Sequence, residues 1–257
     1  MTLTAARRNT KAIAAPDAAT ADVRFTLRPA EARGRADFGW LDSRHSFSFG
    51  QYVDPAHMGF SNLRVINDDR VAGGGGFPPH PHKDAEIFSY VLDGALEHKD
   101  NMNAVGSTVG AGGVQYMSAG TGVTHSEFNP SATEPVRFLQ VWLMPDREGE
   151  TPRYDTLDIS PEAKDGKLAL FLSRDGRYGS MRTYADANVY AATLHGDQVI
   201  ETAIPAGRSG WVQVARGNLR VGTYDLKEGD GLAIRAAGPL RLERGGNAEV
   251  LVFDLPA

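Results

Sequence analysis

Apolar and polar residues alternate along this chain with the period of strands, and helix-period patterns are nearly absent. Val23-Arg-Phe25-Thr-Leu27 has the alternation of a half-buried strand. Leu63-Arg-Val65-Ile-Asn67 predicts another, with Asp68-Asp69 as a turn after it. Glu86-Ile-Phe-Ser-Tyr-Val-Leu92 is rich in β-formers, and Asp93-Gly94 predicts a tight hairpin leading back through 95–99. Further strands are predicted at 114–118, 123–127 and 136–144, separated by Ala111-Gly-Gly113 and Gly120-Thr-Gly122. Residues 36–60 are aromatic-rich, with Asp and Gly interspersed, and read as irregular structure and short strands on a core. Short strands with glycine turns about every ten residues predict an all-β sandwich or barrel.

The polar, proline-punctuated stretch 145–155 reads as a link, and after it the grammar repeats. Trp211-Val-Gln-Val-Ala-Arg-Gly217-Asn-Leu resembles Tyr90-Val-Leu-Asp-Gly94-Ala-Leu, and Lys227-Glu-Gly229-Asp-Gly231 resembles the turn at 110–113. Glu249-Val-Leu-Val-Phe-Asp-Leu255 resembles 137–143. A duplicated β-domain follows: residues 23–150 form the first unit and 151–257 the second. Residues 1–22 are rich in Ala and Thr. Lys11 and Pro16 interrupt any apolar region after Arg7-Arg8, so a disordered leader is expected rather than a targeting signal.

Composition narrows the function classes. The 257 residues are 41% hydrophobic and 23% charged with a formal net charge of −5, which argues against a direct nucleic-acid binder. No stretch approaches the roughly 18–20 apolar residues of a membrane helix. The chain contains no cysteine, so disulfides, zinc–thiolate clusters and thiol catalysis are excluded, and a cytoplasmic location is expected.

Two phrases carry candidate chemistry. Phe77-Pro-Pro-His80-Pro-His82 precedes one β-rich run, and His125-Ser-Glu127 follows another. Each places two metal-capable side chains at i and i+2, on one face of a strand. Brought together across a closed sheet, they would surround one point with three imidazoles and a carboxylate. Three His and one carboxylate without sulfur suit Fe, Mn, Ni, Co or Cu(II), with zinc an alternative, and leave positions open for substrate. Net positive charge there would favour an anionic substrate such as a phenolate. Glu86, four residues after His82, is the alternative fourth ligand; the i,i+2 spacing favours Glu127. His45 and His57 read as packing or surface residues, His98 as solvated in the charged run Glu97-His-Lys-Asp100, and His195 as a turn residue. The glycine run 73–76 lacks the following Lys-Ser/Thr of a phosphate loop and predicts a flexible loop or a close backbone approach.

These residues resemble the cupin superfamily. Gly74, His80, His82 and Glu86 fit its first motif, with the closing Gly94 one residue late. The second motif is matched by Gly112, Gly120, His125 and Asn129, with Ser118 where proline is usual. The fuller resemblance, from Phe25 onward, is to the pirin-like bicupins. It is carried by Asp42-Ser-Arg-His-Ser-Phe-Ser-Phe49, Asp54-Pro-Ala-His-Met-Gly-Phe60, Arg64-Val-Ile-Asn67, His80-Pro-His-Lys-Asp84, Ser118-Ala-Gly-Thr-Gly-Val-Thr-His-Ser-Glu127 and Pro145-Asp-Arg-Glu-Gly-Glu-Thr-Pro-Arg-Tyr154.

That resemblance implies two facing jelly-roll barrels with little helix and one divalent transition metal, iron first, in the N-terminal barrel. The implied ligands are His80, His82, His125 and Glu127. The implied activity is metal-dependent opening of the central ring of a flavonol such as quercetin by dioxygen, with loss of carbon monoxide. Glu127 would then act as base, and Phe47, Phe49 and Met117 would line the pocket. The alternatives are an iron-binding regulatory module with a protein partner and a cupin enzyme for another phenol. A monomer is expected.

Overall fold

Twenty strands dominate the computed structural model, which describes residues 24–102 and 106–257. The leader expected at 1–22 lies outside them. Helix is confined to Pro161–Lys164 and two three-residue 3-10 turns among the described residues.

The first barrel has two facing sheets. A seven-stranded sheet runs in the order Arg153–Asp158, Gly113–Ser118, Glu86–Asp93, Val136–Leu143, Leu63–Val71, Leu41–His45 and Gly34–Asp37. A four-stranded sheet runs Gly76–His82, Val123–Phe128, Ala95–Asp100 and Ser107–Gly110. The second barrel is one nine-stranded sheet whose two long strands, Arg208–Val221 and Gly238–Pro256, change register repeatedly against each other. Such bulges bend a strand far enough to serve both walls of a barrel.

The central strands of the seven-stranded sheet are buried on both faces, and parity assigns their residues. On Glu86–Asp93, Ile87 and Val91 join clusters within the first barrel, while Phe88, Tyr90 and Leu92 join the core shared with the second. There Phe88 meets Phe171 edge-on at 5.4 Å, and Phe47 and Phe60 flank Trp211. Apolar contact over much of this face fixes one barrel on the other.

Three expectations change, and one open alternative is decided. The sheets do not divide at residue 150. Arg153–Asp158, within and beyond the expected link, pairs with Gly113–Ser118 of the first barrel, and Phe25–Arg28 pairs with Gly231–Ile234 of the second. Each half therefore lends a strand to the other.

Asp68-Asp69 is not a turn, because Leu63–Val71 runs through both. Asp68 is held by Arg137 through paired bonds of 2.9 Å, while Asp69 turns into the barrel interior. Asp93-Gly94 closes no hairpin: the strands on either side lie in different sheets, and Gly94 (φ 73°) makes the corner. The hairpin partner of Ala95–Asp100 is Ser107–Gly110.

The glycine run is a close approach rather than a loose loop. A Cβ on Gly76 would stand 2.5 Å from the Glu127 carbonyl oxygen. Gly76–His82 takes its three prolines on a sheet edge, where a missing N–H costs no ladder bond.

Candidate metal centre

Strand pairing brings the two histidine phrases face to face. His125 lies opposite His80, and Val123 opposite His82. The imidazoles of His80, His82 and His125 converge, with their candidate ligand atoms within 4.8 Å of one another. His125 Nε2 stands 3.1 Å from His80 Nε2. His80 Nδ1 donates to the Pro78 carbonyl at 2.8 Å, so the neutral ring presents a lone pair at Nε2. Imidazole lone pairs converging at this separation suit a cation between them, and the sulfur-free donor set fits a transition metal.

Burial holds the rings of His125 and His82 neutral. The His125 imidazole is driven down to about 2, first by desolvation and then by the neighbouring histidines. His82 is lowered to about 4 by burial and by His80.

Glu127 lies on the same strand beyond a register shift against Gly76–His82, which places it opposite Phe77. On its other side it faces His98 directly. It forms a second, overlapping group with His98 and His125, again within 4.8 Å. Its carboxylate accepts from Gln140 Nε2 at 2.8 Å and from Gln115 Nε2, with the Ser89 hydroxyl 3.1 Å away. Desolvation raises its pKa above the usual carboxylate range, while His98 and the amide and hydroxyl partners pull it back.

Glu86 is elsewhere. It is buried at the barrel–barrel interface, accepting from Ser118 Oγ (2.7 Å), Thr183 Oγ1 (2.9 Å), the Tyr184 N–H (3.0 Å) and the Tyr116 hydroxyl. Parity along Glu86–Asp93 turns it toward the second barrel, which removes it from the ligand candidates.

His98 overturns its sequence reading. It is 2% exposed, stacked on Tyr154 at 4.1 Å and bonded through Nε2 to Asp100. The signal was present in Leu96-Glu-His98-Lys-Asp100: Leu96, His98 and Asp100 share the buried face, and Glu97 and Lys99 take the other. The flanking charges masked the alternation. His45, also buried, binds Asn67 at 2.7 Å, whereas His57 is paired with Asp54 nearer the surface. His195 is exposed near the end of its strand.

A cleft of about 610 Å³ opens beside the histidines, with Phe38, Phe49, Tyr52 and Phe77 among its walls and His45, Asn67 and Asp69 among its polar lining. Phe49 meets Trp142 edge-on at 5.5 Å, and Trp142 meets His82 edge-on at 4.9 Å, so one aromatic chain connects cleft to cluster. Of the three residues expected to line a pocket, Phe49 does. Met117 borders a small cavity under Glu127 and His98, and Phe47 packs instead on Trp211. Asp69 and Trp142 were not singled out from sequence. Asp69 is buried with one carboxylate oxygen unpartnered, and desolvation together with the nearby Asp68 and Glu127 pushes it up to about 7.

Comparison with known proteins agrees with this architecture. Residues 26–143 match the family model Pirin, and residues 170–255 match the quercetinase C-terminal cupin domain. The chain is 47% identical over 230 residues to a quercetin 2,3-dioxygenase of Escherichia coli K12, covering 90% of this chain and 98% of that one. A pirin-like protein of Caulobacter vibrioides is 39% identical over 230 residues, covering 88% and 97%. The crystal structure of the bacterial pirin YhhW from Escherichia coli in complex with nickel(II) superposes with a TM-score of 0.86 at 46% identity, covering 90% and 99%. With its paired β-barrels and the His80, His82 and His125 cluster in the first of them, this chain belongs to the pirin family of bicupins.

Proposed function

We propose that this chain is a metal-dependent flavonol 2,3-dioxygenase holding one metal through His80, His82, His125 and Glu127. The carrying observation is the convergence of His80, His82 and His125, with the buried Glu127 carboxylate grouped with His125 on its other side, beside an aromatic-walled cleft. The relative named for quercetin cleavage and the nickel-bound YhhW structure support the reading. Iron is our first expectation for the native metal, and the nickel in the relative argues that such a site accepts other divalent ions.

When bound, the metal would supply Lewis-acid charge that favours the phenolate form of the substrate and a common meeting point for it and dioxygen. Glu127 takes the proton of the flavonol 3-hydroxyl, since burial has raised its proton affinity. Gln115 and Gln140 hold that carboxylate in place. Phe49 and Phe77 wall the flat rings and exclude water, with Trp142 between Phe49 and His82. The unpartnered oxygen of Asp69 offers a hydrogen bond to a phenolic hydroxyl at the cleft floor. Overall, both atoms of dioxygen enter the ring-opened ester and one ring carbon leaves as carbon monoxide.

The test is to load the protein with iron, nickel or manganese, quantify metal per chain, and follow quercetin absorbance and carbon monoxide release with and without oxygen. Oxygen-dependent loss of absorbance with carbon monoxide is expected. Metal-loaded protein inert to every flavonol would remove the dioxygenase reading in favour of the protein-interaction module.

A further inference from the structure

Behind His125, on the side away from His80, lies a second line of polar contacts that the ligand set does not use. His125 Nδ1 stands 3.3 Å from His98 Nδ1, His98 Nε2 stands 2.9 Å from Asp100 Oδ2, and Asp100 Oδ1 accepts the Met102 N–H at 2.8 Å. The side chains of His98 and Asp100 are each only 2% exposed. All three groups come from two adjacent strands in direct register, His125 opposite Asp100 and Glu127 opposite His98.

We propose that Asp100 and His98 are positioning residues that fix the tautomer of His125, a role that rests on His125 being a metal ligand. An ionised carboxylate only accepts, so Asp100 requires the proton of His98 on Nε2. The neutral His98 ring then has a bare Nδ1, which accepts from His125 Nδ1–H. That leaves the lone pair of His125 on Nε2, the nitrogen facing His80. One buried carboxylate thus sets, through two rings, which nitrogen is offered to the metal. His80 reaches the same end by a shorter route, through the Pro78 carbonyl. Partners of this kind orient ligating imidazoles and raise their basicity. Tyr154 stacks on His98 at 4.1 Å and restricts its ring, so the relay is held in plane as well as in register.

Asp100→Asn is the discriminating variant. The Met102 N–H still requires an oxygen at the Oδ1 position, so the new NH2 faces His98 Nε2 and reverses the donor sense along the chain. His125 would then carry its proton on Nε2, where the metal must bind. His98→Phe keeps a ring against Tyr154 and removes both nitrogens, which covers the case in which Asp100→Asn folds poorly. Ni(II) affinity is measured by calorimetry on full-length protein. Exchangeable, metal-shifted imidazole N–H resonances are recorded in H2O and D2O on the Ni(II)-loaded form.

A loss of about 10- to 100-fold in Ni(II) affinity in both variants is expected, with loss or displacement of the His125 N–H resonance. Unchanged affinity and resonance in a folded variant would overturn the relay, as would weakened affinity with the resonance intact, which marks a packing role. Two Ni(II) per wild-type chain would also overturn it, by placing an ion where the proton is assigned. Failure of wild-type protein to bind Ni(II) at all would instead strike the ligand set beneath it.

Discussion

Ser89, Gln115, Gln140 and Glu127 occupy the middle of the first barrel, whereas a cluster including Val212, Val214, Leu219, Leu232, Leu242 and Val250 fills the second. Both barrels grow from similar strand grammar. In the first, an apolar layer around Val91, Leu96 and Phe138 closes one part of the interior, and a smaller one around Ile87, Met117 and Val123 packs elsewhere. The polar residues stay in the barrel interior with these two clusters and are satisfied mostly by one another. Burying an amide or carboxylate without partners costs several kcal/mol on some transfer scales, so such a group persists only as a network. The second barrel carries a continuous apolar filling worth about 25 cal/mol for each Å² removed from water. One barrel is built around chemistry and the other around cohesion, with the interface of Phe88, Phe171, Trp211 and Phe253 joining them.

The contrast is open to direct attack. The largest effect is expected from His125→Ala, which should abolish stoichiometric metal binding and lower quercetin turnover by at least about 10³-fold. His195→Ala, in the second barrel, should leave both unchanged. Glu127→Gln comes next: it keeps the shape but cannot take a proton, so kcat should fall on the order of 10²- to 10⁴-fold. Leu242→Ala reverses the pattern. It should cost about 2–5 kcal/mol in urea unfolding by opening a cavity in the second barrel, with metal content per folded chain unchanged.

The smallest effect concerns Asp69 in metal-free protein. Its folded pKa is raised to about 7, so the folded state holds a proton that the unfolded state gives up near pH 4. Its contribution is neutral below about pH 4, becomes increasingly destabilising as pH rises toward 7, and levels off above that. Asp69→Asn should remove this decline, and urea titrations across pH 4–8 would show it. Parallel curves for the two proteins would mean that Asp69 ionises freely.

The grouping of the histidines was more legible in the sequence than the path of the chain. The i,i+2 spacing put His80 with His82, and His125 with Glu127, on one strand face each, because strand parity is a local property. Strand pairing then set His125 opposite His80. The register shift between His125 and Glu127 is a tertiary outcome with no local sign. Asp68-Asp69 resembled a turn because the partner that makes burial of Asp68 tolerable, Arg137, lies almost seventy residues away. Asp93-Gly94 had hairpin chemistry, yet a left-handed glycine serves equally well at a corner between sheets. His98 was dismissed for its charged neighbours although its parity with Leu96 was readable.

The exchange of strands between the halves has a consequence for how the protein emerges from the ribosome. Phe25–Arg28 finds its partner only in Gly231–Ile234, roughly two hundred residues later. At about 5–20 residues per second, that first strand waits on the order of 10–40 s for its place. The histidine-bearing strands, Gly76–His82 and Val123–Phe128, meet much sooner. A nascent chain can therefore gather its histidines well before the barrel that braces them exists.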